Sequence, residues 1–154
     1  MIDIYGGYVY KKNIDWSVLH EGISIPVTIQ KKFTEQADGF LDRGQKKDVN
    51  LVLNGRTYKA QIKNQLFDSS KYKRSTDIVQ IRYNTSSEIA VELRKIYHKS
   101  YQYLREQREI AEQMGQRVQV KLPENFKEEI ALYLTDYLDT YIVECLTAED
   151  YSII

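Results

Sequence analysis

The sequence is poor in the residues that build covalent or metal-bound frameworks. Its 154 residues contain one cysteine, Cys145, and two histidines, His20 and His98. A single cysteine excludes an intramolecular disulfide, and this set is too small for a zinc site of the usual Cys/His type. The chain also has no glycine-rich phosphate loop and no nucleophile elbow. We therefore predict no cofactor and no catalytic centre of these kinds.

Long apolar runs are also missing. The first sixteen residues, MIDIYGGYVYKKNIDW, resemble neither a signal peptide nor a membrane anchor, so we expect a cytoplasmic protein. The composition, with 42% hydrophobic and 29% charged residues, is typical of a folded globular chain. Its length fits one domain, with room for a small appendage.

The net charge of zero conceals a gradient along the chain. Residues 31–74 contain eleven Lys or Arg against five Asp or Glu, whereas residues 118–154 contain two against eight. A local basic block is typical of nucleic-acid binding even where the total charge cancels. An ordinary solvated surface accounts for the same numbers, so composition alone leaves both interpretations open.

The centre of the sequence predicts three β-strands. Asn54-Gly55 separates two alternating runs, which is the strongest short-range signal for a hairpin. In the second run Tyr58, Ala60 and Ile62 share one face, and the polar residues between them share the other. The third strand is IVQIRY, residues 78–83, which places Gln80 and Arg82 on a single face.

Apolar spacing predicts helices on both sides of these strands. One begins at Pro26 and places Ile29, Phe33 and Ala37 on one face. A capping box from Thr85 to Glu88 begins a long helix that reaches Gly115, with a break near Ser100. A last helix is predicted from Glu124 to Leu146.

The hairpin also has a partial nuclease pattern. Asp48 begins the first strand, and Gln61-Ile62-Lys63 ends the second, as in metal-dependent nucleases that place an acid and then Glu-x-Lys or Gln-x-Lys there. Only one carboxylate and one amide converge, however, because the strand interior carries Asn50. An Mg²⁺-dependent nuclease with a degenerate motif therefore stays an alternative.

Binding DNA requires less than cutting it. Lysines and arginines contact phosphates, whereas Arg, Asn and Gln also contact base edges. The predicted DNA-binding residues are Arg43, Lys46, Lys47, Arg56, Lys59, Gln61, Lys63, Asn64, Gln65, Tyr72, Lys73, Arg74, Arg82 and Asn84.

Three stretches, HEGISIPVTIQKKF, LDRGQKKDVNLVLNGRTYKAQIKNQLFD and KYKRSTDIVQIRYNTSSEIAVELRKIY, resemble a known bacterial module. This module precedes HNH nuclease domains and is similar to the DNA-recognition pseudobarrel of restriction endonucleases, the class of the EcoRII effector domain. The resemblance covers residues 19–104. It implies an α+β fold, namely an open β-pseudobarrel of about seven strands with flanking helices that grips double-stranded DNA. On the matching positions it also implies contacts from Lys63, Asn64, Gln65, Asp68, Tyr72 and Arg82.

The chain departs from that family in two ways. It has no HNH motif, and residues 118–154 are acidic where the nuclease would begin. We therefore predict a pseudobarrel-like DNA-binding domain over residues 1–115 and an acidic helical extension over residues 116–154. The expected function is non-catalytic, sequence- or modification-sensitive DNA binding, with the terminal helices recruiting a nuclease subunit or a second copy. The alternative from another class is a phage- or plasmid-encoded inhibitor of a restriction or CRISPR system that acts by protein–protein contact or by DNA mimicry, with the acidic segment as the mimic.

Overall fold

A computed structural model of the chain describes residues 4–37, 41–66, 76–115, 121–123 and 126–148, with side chains from residue 9 onward. These ranges form seven strands and four α-helices, so the fold class is α+β as predicted. The strands are β1 (Ile4–Asn13), β2 (Gly22–Ile25), β3 (Lys46–Leu53), β4 (Arg56–Asn64), β5 (Val79–Arg82), β6 (Glu129–Thr135) and β7 (Thr140–Leu146). The helices are α1 (Trp16–His20), α2 (Gln30–Gln36), α3 (Glu88–Ile96) and α4 (His98–Gln113).

All seven strands form one mixed sheet in the order β1-β6-β7-β3-β4-β5-β2. Neighbouring strands are antiparallel except β3 and β7, which are parallel. The sheet curls without closing, because β1 and β2 remain its two edges. Tyr10 and Lys12 of β1 line the same cleft as Ser24 and Ile25 of β2, so the curl brings the edges towards each other. An open, curled sheet is compatible with the predicted pseudobarrel.

The predicted hairpin is confirmed. Leu53 pairs with Arg56, and the two residues between them have positive φ angles, 50° at Asn54 and 78° at Gly55. This is the type I′ geometry that suits the twist of antiparallel strands, and Asn and Gly adopt it at the lowest cost. The third predicted strand is also present, as β5.

One face of the sheet, here called the core face, carries the hydrophobic core. In β4 the predicted residues Tyr58, Ala60 and Ile62 are buried, and the helices cover them with side chains such as Phe33 and Leu93. Burial of this kind contributes about 25 cal/mol per Å² of apolar surface. In the described ranges, no helix has both the length and the apolar character needed to cross a membrane.

The helix boundaries differ from the predictions in detail. Pro26 precedes a 3₁₀ turn, Val27–Ile29, before α2 begins. The first residue of α3 is Glu88, and its cap is Ser87, whose side chain accepts from the Ala90 amide at 3.3 Å. The predicted cap at Thr85 is therefore wrong by two residues. The long helix breaks at buried Tyr97, where the hydroxyl donates to the Glu129 carbonyl at 2.5 Å.

The predicted last helix from Glu124 to Leu146 is wrong, because residues 129–135 and 140–146 are β6 and β7. Strand β6 is buried on both faces, with Ile130, Ala131 and Leu132 each at most 1% exposed. A strand buried on both faces shows no alternation, so its apolar residues also fit a helical spacing. The acidic helical extension is thus replaced by two interior strands of the common sheet, and the boundary at residue 115 does not separate them from it.

Candidate nucleic-acid interface

The solvent side of β3, β4, β5 and β2 forms a surface that we call the open face. Strand register arranges its side chains in rows, because residues paired across a ladder point to the same side of a sheet. One row contains Lys46, Lys63, Gln80 and Ser24. The next row contains Asp48, Gln61, Arg82 and Gly22, and Lys59 pairs with Asn50 in a third.

A depression of about 440 Å³ lies on this face. Six of the predicted DNA-binding residues line it, and the remaining lining residues are Asp48, Ala60, Tyr83 and Ser87. The six are Lys46, Lys59, Gln61, Lys63, Arg82 and Asn84. The lining therefore contains four cationic side chains and one carboxylate, a formal balance of +3.

The four cations lack internal counter-ions. Within the part of the chain that the structure describes, neither Arg82 nor any of the three lysines forms an ion pair. Like charges gathered on one face repel each other, and an anion placed over them removes that repulsion. The depression is therefore suited to a negatively charged ligand.

The start of α3 adds to this electrostatic character. Ser87 lines the depression and caps the helix, and its hydroxyl donates to the Asn84 carbonyl at 2.6 Å. This bond holds the short connection between β5 and α3. The first turn of a helix has a partial positive charge, and the Glu88 carboxylate in this turn offsets part of it.

Hydrogen bonds between side chains hold the polar residues of the first two rows in place. Gln61 Nε2 donates to Asp48 Oδ1 at 3.1 Å. Arg82 Nη1 donates to Gln80 Oε1 at 3.2 Å, and Gln80 Nε2 donates to Ser24 Oγ at 3.3 Å. The polar groups at the centre of the open face are therefore positioned by their neighbours before any ligand binds.

Arg43 and Lys47, two of the predicted DNA-binding residues, have partners inside the fold. Arg43 Nε donates to Asp77 Oδ1 at 2.7 Å. Lys47 pairs in register with Ile62, on the core face, and its ammonium donates to the Ala37 carbonyl at 2.7 Å and contacts Asp139 at 3.0 Å. The structure gives Lys47 a role in joining β3 to the turn before β7, away from the open face.

Asn64 requires a correction, because it is only 1% exposed. Its Nδ2 donates to the Leu41 carbonyl at 2.8 Å and to Asp77 Oδ2 at 3.1 Å. A buried amide with these partners stabilises the fold and does not reach a ligand on the surface. Gln65, the next residue, is half-buried, and its backbone amide donates to the Ile78 carbonyl at 2.8 Å.

Arg56 lies at the start of β4, outside the depression. Its guanidinium contacts Glu88 at 2.9 Å and lies 5.0 Å from the centre of the Tyr58 ring. Because both charged side chains of this pair are exposed, the pair contributes little to stability. The predicted contacts at Asp68, Tyr72, Lys73 and Arg74 lie outside the described residues.

Sequence reasoning missed Ser24 and Ser87 as residues of this face. Ser24 lies on β2, which is only four residues long and was not predicted. Its alternating burial, with Ile23 and Ile25 buried and Ser24 exposed, is the signal that a period-of-two search would find. Ser87 was overlooked because the helix start was assigned to Thr85.

The partial nuclease pattern is brought together in space. Asp48 lies opposite Gln61, and Lys63 is two residues further along the same face of β4. Among the residues described, no group of three or more His, Cys, Asp or Glu side chains is placed to hold a metal ion. A nuclease mechanism thus has one carboxylate at this place and stays an alternative interpretation.

Two acidic residues of the C-terminal segment, Glu128 and Asp139, have partners within the fold. Glu128 is 3% exposed, and it accepts from the Ser100 hydroxyl and from the Ala148 amide at 3.1 Å. Asp139 contacts Lys47. Residues 126–148 contain two strands where the inhibitor alternative places an acidic helix, and inhibition through protein contact stays a prediction.

Comparison with known proteins adds no identification, since no protein family, curated protein or solved structure matches this chain. The resemblance to the restriction-enzyme pseudobarrel therefore stays a prediction from the sequence.

Proposed function

We propose that this protein binds double-stranded DNA through the open face of its sheet and that it does so without cutting it. The observation that supports this most directly is the depression lined by Lys46, Lys59, Lys63 and Arg82, whose charges form no ion pair among the described residues. Side chains of this kind contact phosphates, and the interleaved Gln61 and Asn84 offer amides for base edges.

The spacing of the cations favours a polyanion over a small ligand. Lys59 and Lys63 are four residues apart on one strand, a separation of roughly 13 Å at about 3.3 Å per residue. The positive charges are therefore distributed along the strand, which suits a ligand that carries several phosphates. A nucleic-acid strand carries a phosphate every ~3.4 Å along its axis and can therefore follow the row of lysines.

The architecture favours a duplex. Strands β3 and β4 lie in the interior of the sheet, between β7 and β5, so the open face meets DNA as a broad surface that spans several strands. No aromatic side chain contributes to the rows of β3, β4, β5 and β2 named above. Single-stranded DNA is usually held by stacking on aromatic rings, so this face suits paired DNA better.

The proposal is tested by fluorescence anisotropy with a labelled random-sequence duplex, titrated at several salt concentrations. The affinity should fall as salt rises, because binding releases counterions from the phosphates. Three to four contacts predict a slope of roughly −3 to −4 in a plot of log K against log salt.

Variants localise the interface. Lys59→Ala and Lys63→Ala should each weaken binding to every sequence and reduce the magnitude of the slope by about 1. The matched control is Lys95→Ala, which removes the same charge from an exposed position in the last turn of α3. It should bind like the wild type, and thermal unfolding of each variant checks that the fold is intact.

Three results would overturn the proposal. These are absence of binding at low salt, binding that salt does not weaken, and an equal loss in the Lys95→Ala control. Mg²⁺-dependent cleavage of the duplex that disappears in Asp48→Ala would instead establish the nuclease interpretation.

A further inference from the structure

Gln61 and Arg82 lie side by side at the centre of the depression. They are direct partners in the register between β4 and β5, and both line the cavity. Such partners have Cβ atoms about 5 Å apart. One side chain carries an amide and the other a guanidinium, the two groups that proteins use most often to contact adenine and guanine.

Asp48 fixes the orientation of the Gln61 amide. An ionised carboxylate can only accept hydrogen bonds, so the NH₂ group of Gln61, not its carbonyl, must face it. The observed 3.1 Å contact has this direction. The amide oxygen is therefore directed away from Asp48 as an acceptor. The second N–H of the Gln61 amide is not used by Asp48, so it remains available as a donor next to the amide oxygen.

Gln80 performs the corresponding task for Arg82. Its carbonyl accepts from Arg82 Nη1, and its own NH₂ group is held by Ser24. The guanidinium is planar and has several other N–H groups, so this single contact restrains its plane without using up its donors. Arg82 is also exposed, which leaves those donors accessible to a ligand.

We propose that Gln61 and Arg82 read two neighbouring bases in the major groove, and that Asp48 sets the specificity of Gln61 by holding its amide in one orientation. This inference depends on the proposed DNA binding at the same face. The fork of Arg82 matches guanine, which presents two acceptors, O6 and N7. The acceptor and donor of Gln61 match adenine, which presents the N6 amino group and N7. Asp48 is a positioning residue, because it acts on DNA only through Gln61.

The test is selection of binding sites from a random duplex pool, followed by sequencing. The wild type should enrich sites in which a guanine stands next to an adenine. Arg82→Ala should relax the choice at the guanine position only. Gln61→Ala should relax the adenine position by about tenfold or more, the size of one bidentate base contact.

Asp48→Ala tests whether Asp48 positions the Gln61 amide or only supports the fold. It should relax the adenine position as much as Gln61→Ala does, while total affinity stays equal or rises because a carboxylate beside the phosphates is lost. The double variant Asp48→Ala/Gln61→Ala should lose no more discrimination at the adenine position than either single variant, because both changes remove the same contact. Gln102→Ala is the matched control and should leave the selected sites unchanged, because it removes an exposed amide on α4 that also donates to a carboxylate, that of Glu106, away from the depression.

The outcomes distinguish the two levels of the proposal. If the wild type binds duplex DNA but enriches no site, base reading by Gln61 and Arg82 is refuted and DNA binding stands. If Asp48→Ala selects the same sites with the same discrimination, the positioning role of Asp48 is refuted. If the wild type binds no duplex in the anisotropy titration, both proposals fail together.

Discussion

Asn64 and Asp77 are joined by a hydrogen bond of 3.1 Å from the buried amide to the carboxylate. Asn64 ends β4, and Asp77 lies just before β5, so the bond closes the connection between two neighbouring strands of the open face. The same amide group also donates to the Leu41 carbonyl. A residue predicted to touch DNA therefore holds together the scaffold on which the DNA-binding rows are built.

Replacing this amide should destabilise the protein without acting on DNA directly. Asn64→Ala leaves the Leu41 carbonyl and one oxygen of Asp77 without their donor, which should cost about 2–3 kcal/mol in the free energy of unfolding. Urea denaturation measures the change. Gln65→Ala, at the adjacent half-buried position, retains the backbone bond to Ile78 and should change stability much less. Equal losses in the two variants would contradict the role assigned to Asn64.

Low pH should weaken the contacts that Asp77 makes with Arg43 and Asn64. The hydrogen bond from Arg43 holds the pKa of Asp77 below its ordinary value of 3.8, with a smaller contribution from Asn64. A carboxyl whose pKa is lowered by folding stabilises the native state above its unfolded pKa, and this contribution is lost as the pH falls through the folded value. The wild type should therefore unfold at a higher temperature than Asp77→Asn at neutral pH, and the difference should shrink below about pH 4. A gap that stayed constant through this range would refute the assignment.

High pH should destabilise the protein because three tyrosine side chains are buried. Burial is the largest cause that raises the pKa of Tyr83, Tyr97 and Tyr141 far above the ordinary 10.0. A group whose pKa is raised by folding stabilises the native state below its unfolded pKa, and that stability declines as the pH rises further. Each phenol should then reduce stability by up to about 1.4 kcal/mol per pH unit above about pH 10.

Tyrosine variants test this expectation. Tyr83→Phe loses the hydroxyl that donates to the Val18 carbonyl at 2.5 Å, so it should be less stable at neutral pH by about 1–2 kcal/mol. Its stability should also depend less steeply on pH above about pH 10. Urea denaturation across this range, with tyrosinate absorbance recorded in parallel, measures both effects. A slope equal to that of the wild type would show that Tyr83 ionises freely in the folded state.

Two glycines should differ sharply when alanine replaces them. At Gly55, with φ of 78°, an added Cβ meets nothing within 4 Å, so Gly55→Ala should cost only the backbone strain of about 1–2 kcal/mol. At Gly22 a Cβ would lie 2.1 Å from the Ile81 carbonyl oxygen, so Gly22→Ala must separate β2 from β5. We expect a much larger loss of stability there, measured by thermal unfolding of both variants. Similar losses would show that β2 adapts at little cost.

Local signals were sufficient for the central strands. The Asn-Gly turn and the alternation from Tyr58 to Ile62 determined the hairpin, its register and the identity of the polar face. The same alternation places Asn64 on the core face with Ile62, and the register places Lys47 opposite Ile62. The pattern therefore predicts that Asn64 and Lys47 lie on the core face. Their polar side chains instead favoured an assignment to the DNA-binding surface.

The C-terminal strands could not be predicted in this way. The partners of β6 are β1, from the opposite end of the chain, and β7. Ile130 and Leu134 fit a helical stripe and a buried strand equally well, and only the distant partner decides between them. Asp139, with φ of 59°, marks the turn before β7, but a single aspartate gives no clear turn signal in the sequence.

The insertion of β6 between β1 and β7 has a consequence for the newly made chain. Ile4 pairs with Thr135, and a parallel ladder joins β3 to β7. During synthesis from the N-terminus, β1 and one edge of β3 therefore remain unpaired until residues 129–146 have left the ribosome. Strands left in that state readily pair with other chains. The sheet is completed only after β7 has been made, so a product that stops before Glu129 exposes two strand edges that the complete sheet conceals.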